Sequence, residues 1–151
     1  MAQIPVDLPA SGEPETGLDY VRRMLANAKR TSLLMLDAVA RAYGDKVAEE
    51  QEALGLLADI AAETYALESA FLRTQKIPEE RRELPLELTV IYACDAADRI
   101  AVNASNLAAA LVDGAELATT LAELAPSTKV NTIATRRRIA AKLLEVRRYF
   151  L

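Results

Sequence analysis

QEALGLLADIAAETYALESAFLR, residues Gln51 to Arg73, is long, free of proline and rich in Ala, Leu and Glu, a composition that favours helix over strand. Its apolar positions, Leu54, Leu57, Ala58, Ala61, Tyr65, Leu67, Ala70, Phe71 and Leu72, cover an arc wider than a helix resting on a surface presents. Such a helix needs neighbours on more than one side. The rest of the chain is therefore read as the elements that surround it.

A chain of 151 residues suffices for one domain with a real core, roughly two-thirds of its unfolded surface being buried. Charged residues make up 26% and aromatics 5%, and Trp and His are absent, so an Ala- and Leu-rich helical protein fits better than a sheet. The net charge of -4 argues against a surface that binds nucleic acid throughout. The single cysteine, Cys94, sits among Val90, Ile91, Tyr92, Ala93 and Ala97. No intrachain disulfide can form, a small buried thiol is expected, and the reducing cytoplasm is the expected compartment. The start, MAQIPVDLPASGEP, has neither a cationic beginning nor an unbroken apolar run, and no segment reaches the ~18 apolar residues of a membrane span.

Residues 1–15 carry Pro5, Pro9, Pro14 and Gly12 and read as a flexible leader or linker. Residues 16–151 are expected to form one helical-bundle domain. A first helix from Thr16 or Gly17 to Ala42, with Thr16 as N-cap and Gly44 as stop, places Leu18, Val21, Leu25, Ala28, Ser32, Met35 and Val39 on its inner stripe. Arg22, Arg23, Lys29 and Arg30 then form a solvated face. Asp45 is expected to cap the second helix, which continues to about Lys76. Asp59 and Glu63 lie one turn apart on it. With no histidine to complete a Glu-x-x-His metal motif, these carboxylates are expected to pair with Arg99 or another basic group.

The turn IPEERRELP leads to a third helix from near Pro85 to about Val112, with Leu88, Ile91, Tyr92, Asp95, Arg99, Val102, Asn106 and Ala109 on one broad side. Asp95 and Arg99 stand at i, i+4 with the acid first, a candidate structural ion pair. Ala115 to Leu124 makes a short helix that stops at Pro126. The last helix, NTIATRRRIAAKLLEVRRYFL, starts at Asn131 as cap, or at Ser127 or Thr128, and turns Ile133, Arg137, Ala140, Leu143, Leu144 and Tyr149 inward. From Ser127 onward there are seven basic residues and one acid, Glu145. Arg136, Arg138, Lys142, Arg147 and Arg148 form the candidate docking or membrane face. Short turns between long helices imply an all-α, up-down antiparallel bundle of four main helices plus one short helix.

The order of motifs is similar to that of a known family. In RAYGDKVAEEQEALGLLADIAAETYALESAFLR, Arg41 to Arg73, a Tyr-Gly precedes Glu50-Gln51, then Leu57-Ala58-Asp59, then the run Tyr65 to Ser69. This resembles the C-terminal helical domain of bacterial acyl-CoA dehydrogenases of the very-long-chain type. The ending from Asn131 to Leu151, with its Arg-Arg-Ile-Ala and final Arg-Tyr, resembles the terminus of the same proteins. TVIYACDAADRIAVNASNLAAAL, Thr89 to Leu111, fits the same domain less specifically.

The resemblance implies an accessory part of an FAD-dependent oxidoreductase of fatty-acid β-oxidation that desaturates acyl-CoA thioesters between the α and β carbons. In the family a glutamate takes the α proton and flavin takes the β hydride, on domains that have no match here. The Tyr-Glu-Gly segment carrying that glutamate in many members is also unmatched, since Tyr20, Tyr43, Tyr65, Tyr92 and Tyr149 are each followed by another residue. No catalytic, flavin-binding or metal-ligating residue transfers, and the chain alone is expected to bind no cofactor and to be inactive. The implied partner is an acyl-CoA dehydrogenase catalytic body, in the same chain or separate, with a homodimer and peripheral contact at the inner face of the membrane as further associations. The alternative is a free-standing interaction module whose basic last helix binds an acidic partner or an anionic membrane. Nucleic acid is disfavoured, because Arg136 to Arg138 lack interleaved aromatics or a helix-turn-helix.

Overall fold

The computed structural model describes residues 17–125 and 130–146. Every regular element among them is helical: α1 Leu18–Tyr43, α2 Gln51–Gln75, α3 Glu83–Ala109, α4 Gly114–Leu124 and α5 Thr132–Val146, with 3-10 turns at Gly44–Glu49 and Glu79–Arg81. The all-α bundle read from the sequence is the observed fold. Residues 1–15, Thr16, Ser127, Thr128, Arg147, Arg148 and Tyr149 lie outside the described residues.

α1, α2 and α3 each pack against the other two, α4 lies on α3 and α1, and α5 lies on α3 alone among the described elements. Cross-links set the directions. Ser32 meets Thr64 at 2.9 Å and Lys29 meets Glu68, so α1 and α2 run antiparallel. Buried Thr74 meets Thr89 at 2.7 Å while Glu63 meets Arg99 further along, so α3 runs antiparallel to α2. Each hydroxyl of these Ser-Thr and Thr-Thr pairs also faces a carbonyl one turn back on its own helix, except that of Thr74, so burying them leaves little unmet hydrogen bonding.

Val21, Met35, Val39, Ile60, Leu67 and Leu107 fill the centre with almost no exposure. On α1 the expected stripe holds: Val21, Leu25, Ala28, Met35 and Val39 are buried and Leu18 and Ser32 are half-buried. On α3 the stripe is rotated from expectation. Thr89, Ala93, Ala96, Ile100, Ala104 and Leu107 face the core, and Arg99, Val102, Asn106 and Ala109 are exposed. Alanines at this seam let the backbones of α1 and α2 come close to α3, and close approach outweighs the larger apolar groups elsewhere on the helix.

α2 departs from its expected environment as well. Its buried stripe is narrow, Ala53, Ile60, Thr64, Leu67, Phe71 and Thr74, while Leu54, Ala58, Ala61, Tyr65 and Leu72 are exposed. Among the described residues, neighbours cover one side of this helix, not the wider arc its sequence calls for.

The connections follow local chemistry. Gly44 has φ +52°, which an L side chain adopts only with strain, and the chain then enters a 3-10 turn instead of a helix capped by Asp45. Arg82 lies at the start of α3 and donates to the Ile77 carbonyl from Nε at 2.9 Å and from Nη2 at 2.7 Å, and to the Gln75 carbonyl at the end of α2 at 3.3 Å. At Gly114 a Cβ would lie 2.5 Å from the Ala108 carbonyl oxygen, so only glycine admits the tight return from α3 to α4. Asn131 caps α5 as expected, its Oδ1 accepting from the Ala134 amide at 3.1 Å. No described helix is long and apolar enough to cross a membrane.

Candidate functional site

Three surfaces carry the chemistry that the fold exposes. The first is ionic and joins α5 to α3. Arg136 Nη2 donates to both carboxylate oxygens of Asp95 at 2.7 and 2.6 Å, Arg138 Nε donates to Glu87 Oε1 at 3.0 Å, and Lys142 lies 3.7 Å from Glu83. Ascending residues of α5 meet descending residues of α3, so the two are antiparallel. Between the pairs Ile139 is buried against Leu84 and Ile91, with Leu88 and Leu143 beside it. Hydrogen bonding to Glu87 raises the pKa of the Arg138 guanidinium further above its ordinary value. Of the expected docking face, Arg136, Arg138 and Lys142 thus have their acidic partner within the chain. Arg147 and Arg148 lie outside the described residues.

The rotation of α5 also corrects its expected inner stripe. Ile139 is buried and Leu143 half-buried, whereas Ile133, Arg137, Ala140 and Leu144 are exposed. A helix that touches one neighbour buries one narrow row, and the three ion pairs select which row.

The second surface is a polar cluster between α2 and α3. Arg99 forks onto Glu63, with Nη2 at 2.8 Å from Oε2, and the Tyr92 hydroxyl donates to the same carboxylate at 3.0 Å. The guanidinium also lies 5.7 Å from the centre of the Tyr92 ring. The sequence placed Glu63 with Arg99 correctly. The expected Asp95–Arg99 pair is replaced by two pairs across helices, Arg99 with Glu63 and Asp95 with Arg136. Asp59 lies beside Glu63 in a shallow cleft with Asp98, Arg99 and Asn103.

These contacts hold titratable groups in fixed states. Hydrogen bonding to Arg99 lowers the Glu63 pKa against the opposing effect of burial. Burial, then Glu63, raises the Tyr92 phenol. Burial, then the hydrogen bond with Cys94 at 3.4 Å, raises the Tyr20 phenol. Each of these shifts moves a group away from neutral pH, whereas a proton-transfer catalyst is moved towards it. Cys94 is half-buried, not the fully buried thiol expected. Among the described residues no three His, Cys, Asp or Glu side chains gather to hold a metal ion.

The third surface is apolar. A groove of about 270 Å³ opens between α1, α3 and α4, lined by Met24, Thr31, Ile100, Leu121 and several alanines. Asn27 Nδ2 closes one end, donating to the Leu124 carbonyl at 3.0 Å. A second apolar area lies along the outer seam of α1 and α2, where Leu33, Leu36, Leu54 and Tyr65 are exposed. Sequence reasoning did not single out either area, although the excess width of the apolar arc in α2 signals the second.

The family model described as "Acyl-CoA dehydrogenase, C-terminal domain" matches residues 27–125, from the middle of α1 through α4. The chain belongs to this family. A probable acyl-CoA dehydrogenase of Bacillus subtilis (strain 168) is 32% identical over 145 residues, covering 91% of this chain and 24% of the relative. The crystal structure of an acyl-CoA dehydrogenase complexed with FAD from Bacillus anthracis superposes with a TM-score of 0.83 at 31% identity, over 91% of this chain and 25% of that one. The acyl-CoA dehydrogenase C-terminal domain described here therefore spans about a quarter of the length of these relatives.

Proposed function

We propose that this domain is an accessory part of an FAD-dependent acyl-CoA dehydrogenase of fatty-acid β-oxidation, docking on and stabilising a catalytic body without catalysing alone. The observation that carries the reading is the match of nearly the whole chain to one quarter of an enzyme whose crystal structure contains FAD. Supporting it, the resolved pKa shifts leave Glu63 ionised and Tyr20 and Tyr92 protonated at neutral pH, states suited to holding helices together. The motif order from Arg41 to Arg73 supports the very-long-chain type as the class of body. The reading includes residues 16–151 as one domain behind a linker, a cytoplasmic setting, and association with the body in the same chain or as a separate one. A homodimer and peripheral membrane contact are compatible arrangements of such an assembly.

Dye reduction with palmitoyl-CoA is expected to stay at buffer level for the purified chain, and to appear when the domain is joined to its body. Turnover, or a yellow flavin-bound preparation, from the 151 residues alone would overturn the reading.

A further inference from the structure

We infer that the outer seam of α1 and α2, centred on Leu33, Leu36, Leu54 and Tyr65, is the surface that contacts the flavin-bearing body of an acyl-CoA dehydrogenase. This assignment rests on the proposed docking role and names its face. Leu33 is 58% exposed, Leu36 52% and Tyr65 74%, so little of the described chain packs over them. Ser32 meets Thr64 between antiparallel helices, so the turn from Ser32 to Leu36 runs beside the turn from Thr64 back to Ile60. This register sets Leu33 and Leu36 of α1 level with residues 60–65 of α2.

Charges beside the seam have partners within the chain, Asp37 meeting Arg41 at 3.0 Å on α1. On α2, Glu63 turns to Arg99 and Tyr92 on α3, and Asp59 lies in that same cleft. Lys29 and Glu68 pair with one another at one end of the seam. The basic residues of α5 have acids of α3 to meet. Contiguous apolar area bounded by satisfied charges is the form an interface core takes.

The occupant follows from chain length. In the matched relatives some three-quarters of the protein lies outside the region this chain covers, so a domain of this kind has a body about three times its size to rest on. Most of α1 and all of α2 fall within the family match, which ends before α5.

The test places the photo-crosslinker p-benzoylphenylalanine in the full chain, at position 65 or, separately, at position 137 on α5, in cells that express the chain. Irradiation is expected to join position 65 to peptides of an acyl-CoA dehydrogenase body, in the same chain or a separate one, identified by mass spectrometry. Adding Leu33→Glu and Leu36→Glu is expected to cut that yield at least tenfold, with helix content by circular dichroism unchanged. A crosslink from position 65 to a second copy, to residues 1–16, to lipid or to nothing would overturn the assignment. So would an unchanged yield in the double variant. Capture of the body from position 137 alone would overturn the face and leave the docking role standing, whereas capture from neither would remove both.

Discussion

The seam between α3 and α5 and the seam between α1 and α2 are opposites. The first carries the longest run of basic residues in the sequence, and that charge is used within the chain: Arg136, Arg138 and Lys142 meet Asp95, Glu87 and Glu83 around buried Ile139. The second carries little charge and leaves Leu33, Leu36 and Tyr65 in water. Basic residues attract attention as docking elements because they are conspicuous, but a cation with an internal acid has less to offer a partner. An exposed leucine with no partner among the described residues has more.

The largest effect expected is on the bundle that holds both seams in place. Ile60 is fully buried among the three long helices, so Ile60→Ala should cost about 2–5 kcal/mol of unfolding free energy, read by urea denaturation. Ile139 contributes to a smaller cluster against one helix, and Ile139→Ala should cost about 2 kcal/mol. It should speed amide exchange in α5 while leaving α1 and α2 protected. Equal loss of protection in all helices would show that α5 is integral to the core and blur the contrast.

The Glu63 cluster gives a prediction in pH. Its carboxylate binds a proton less tightly folded than unfolded, so its contribution is complete above the ordinary value of 4.5 and is lost as pH falls through the lower folded value. Glu63→Gln should therefore cost roughly 1 kcal/mol or less at pH 7 and converge with the parent stability in acid. A constant difference across that range would exclude the ionised pair as its source. Arg138→Gln should cost less still, and the difference should shrink in molar salt because the guanidinium is solvent-exposed. Smallest of all, Tyr65→Ser should change the stability of the free chain by no more than about 0.5 kcal/mol, since its ring touches water and not the core. A larger loss would mean that the α1 and α2 seam is already covered within the chain.

Much of the fold is legible in the sequence because helical periodicity, caps and breakers are local. Asn131 as a cap, the Val21 to Val39 stripe and the stop at Gly44 need only neighbouring residues to be recognised. Partner choice is not local. Asp95 and Arg99 are correctly spaced for one another on α3, yet a helix on either side offers each a better-placed opposite charge. The rotation of α5 could not be read for the same reason, since Ile133, Leu144 and Ile139 are all apolar and what α3 sets opposite them, Leu84 and Ile91 flanked by Glu83, Glu87 and Asp95, chooses among them. The exposed seam was legible in one respect. The apolar arc of α2 is wider than the other described residues cover, and that surplus is the face proposed above for docking.

Hydrogen–deuterium exchange of the domain, free and bound to its dehydrogenase body, tests this most directly. Slower exchange on binding is expected in the parts of α1 and α2 around Leu33, Leu36, Leu54 and Tyr65, with α5 unchanged. Protection confined to α5, with α1 and α2 exchanging as in the free chain, would contradict it.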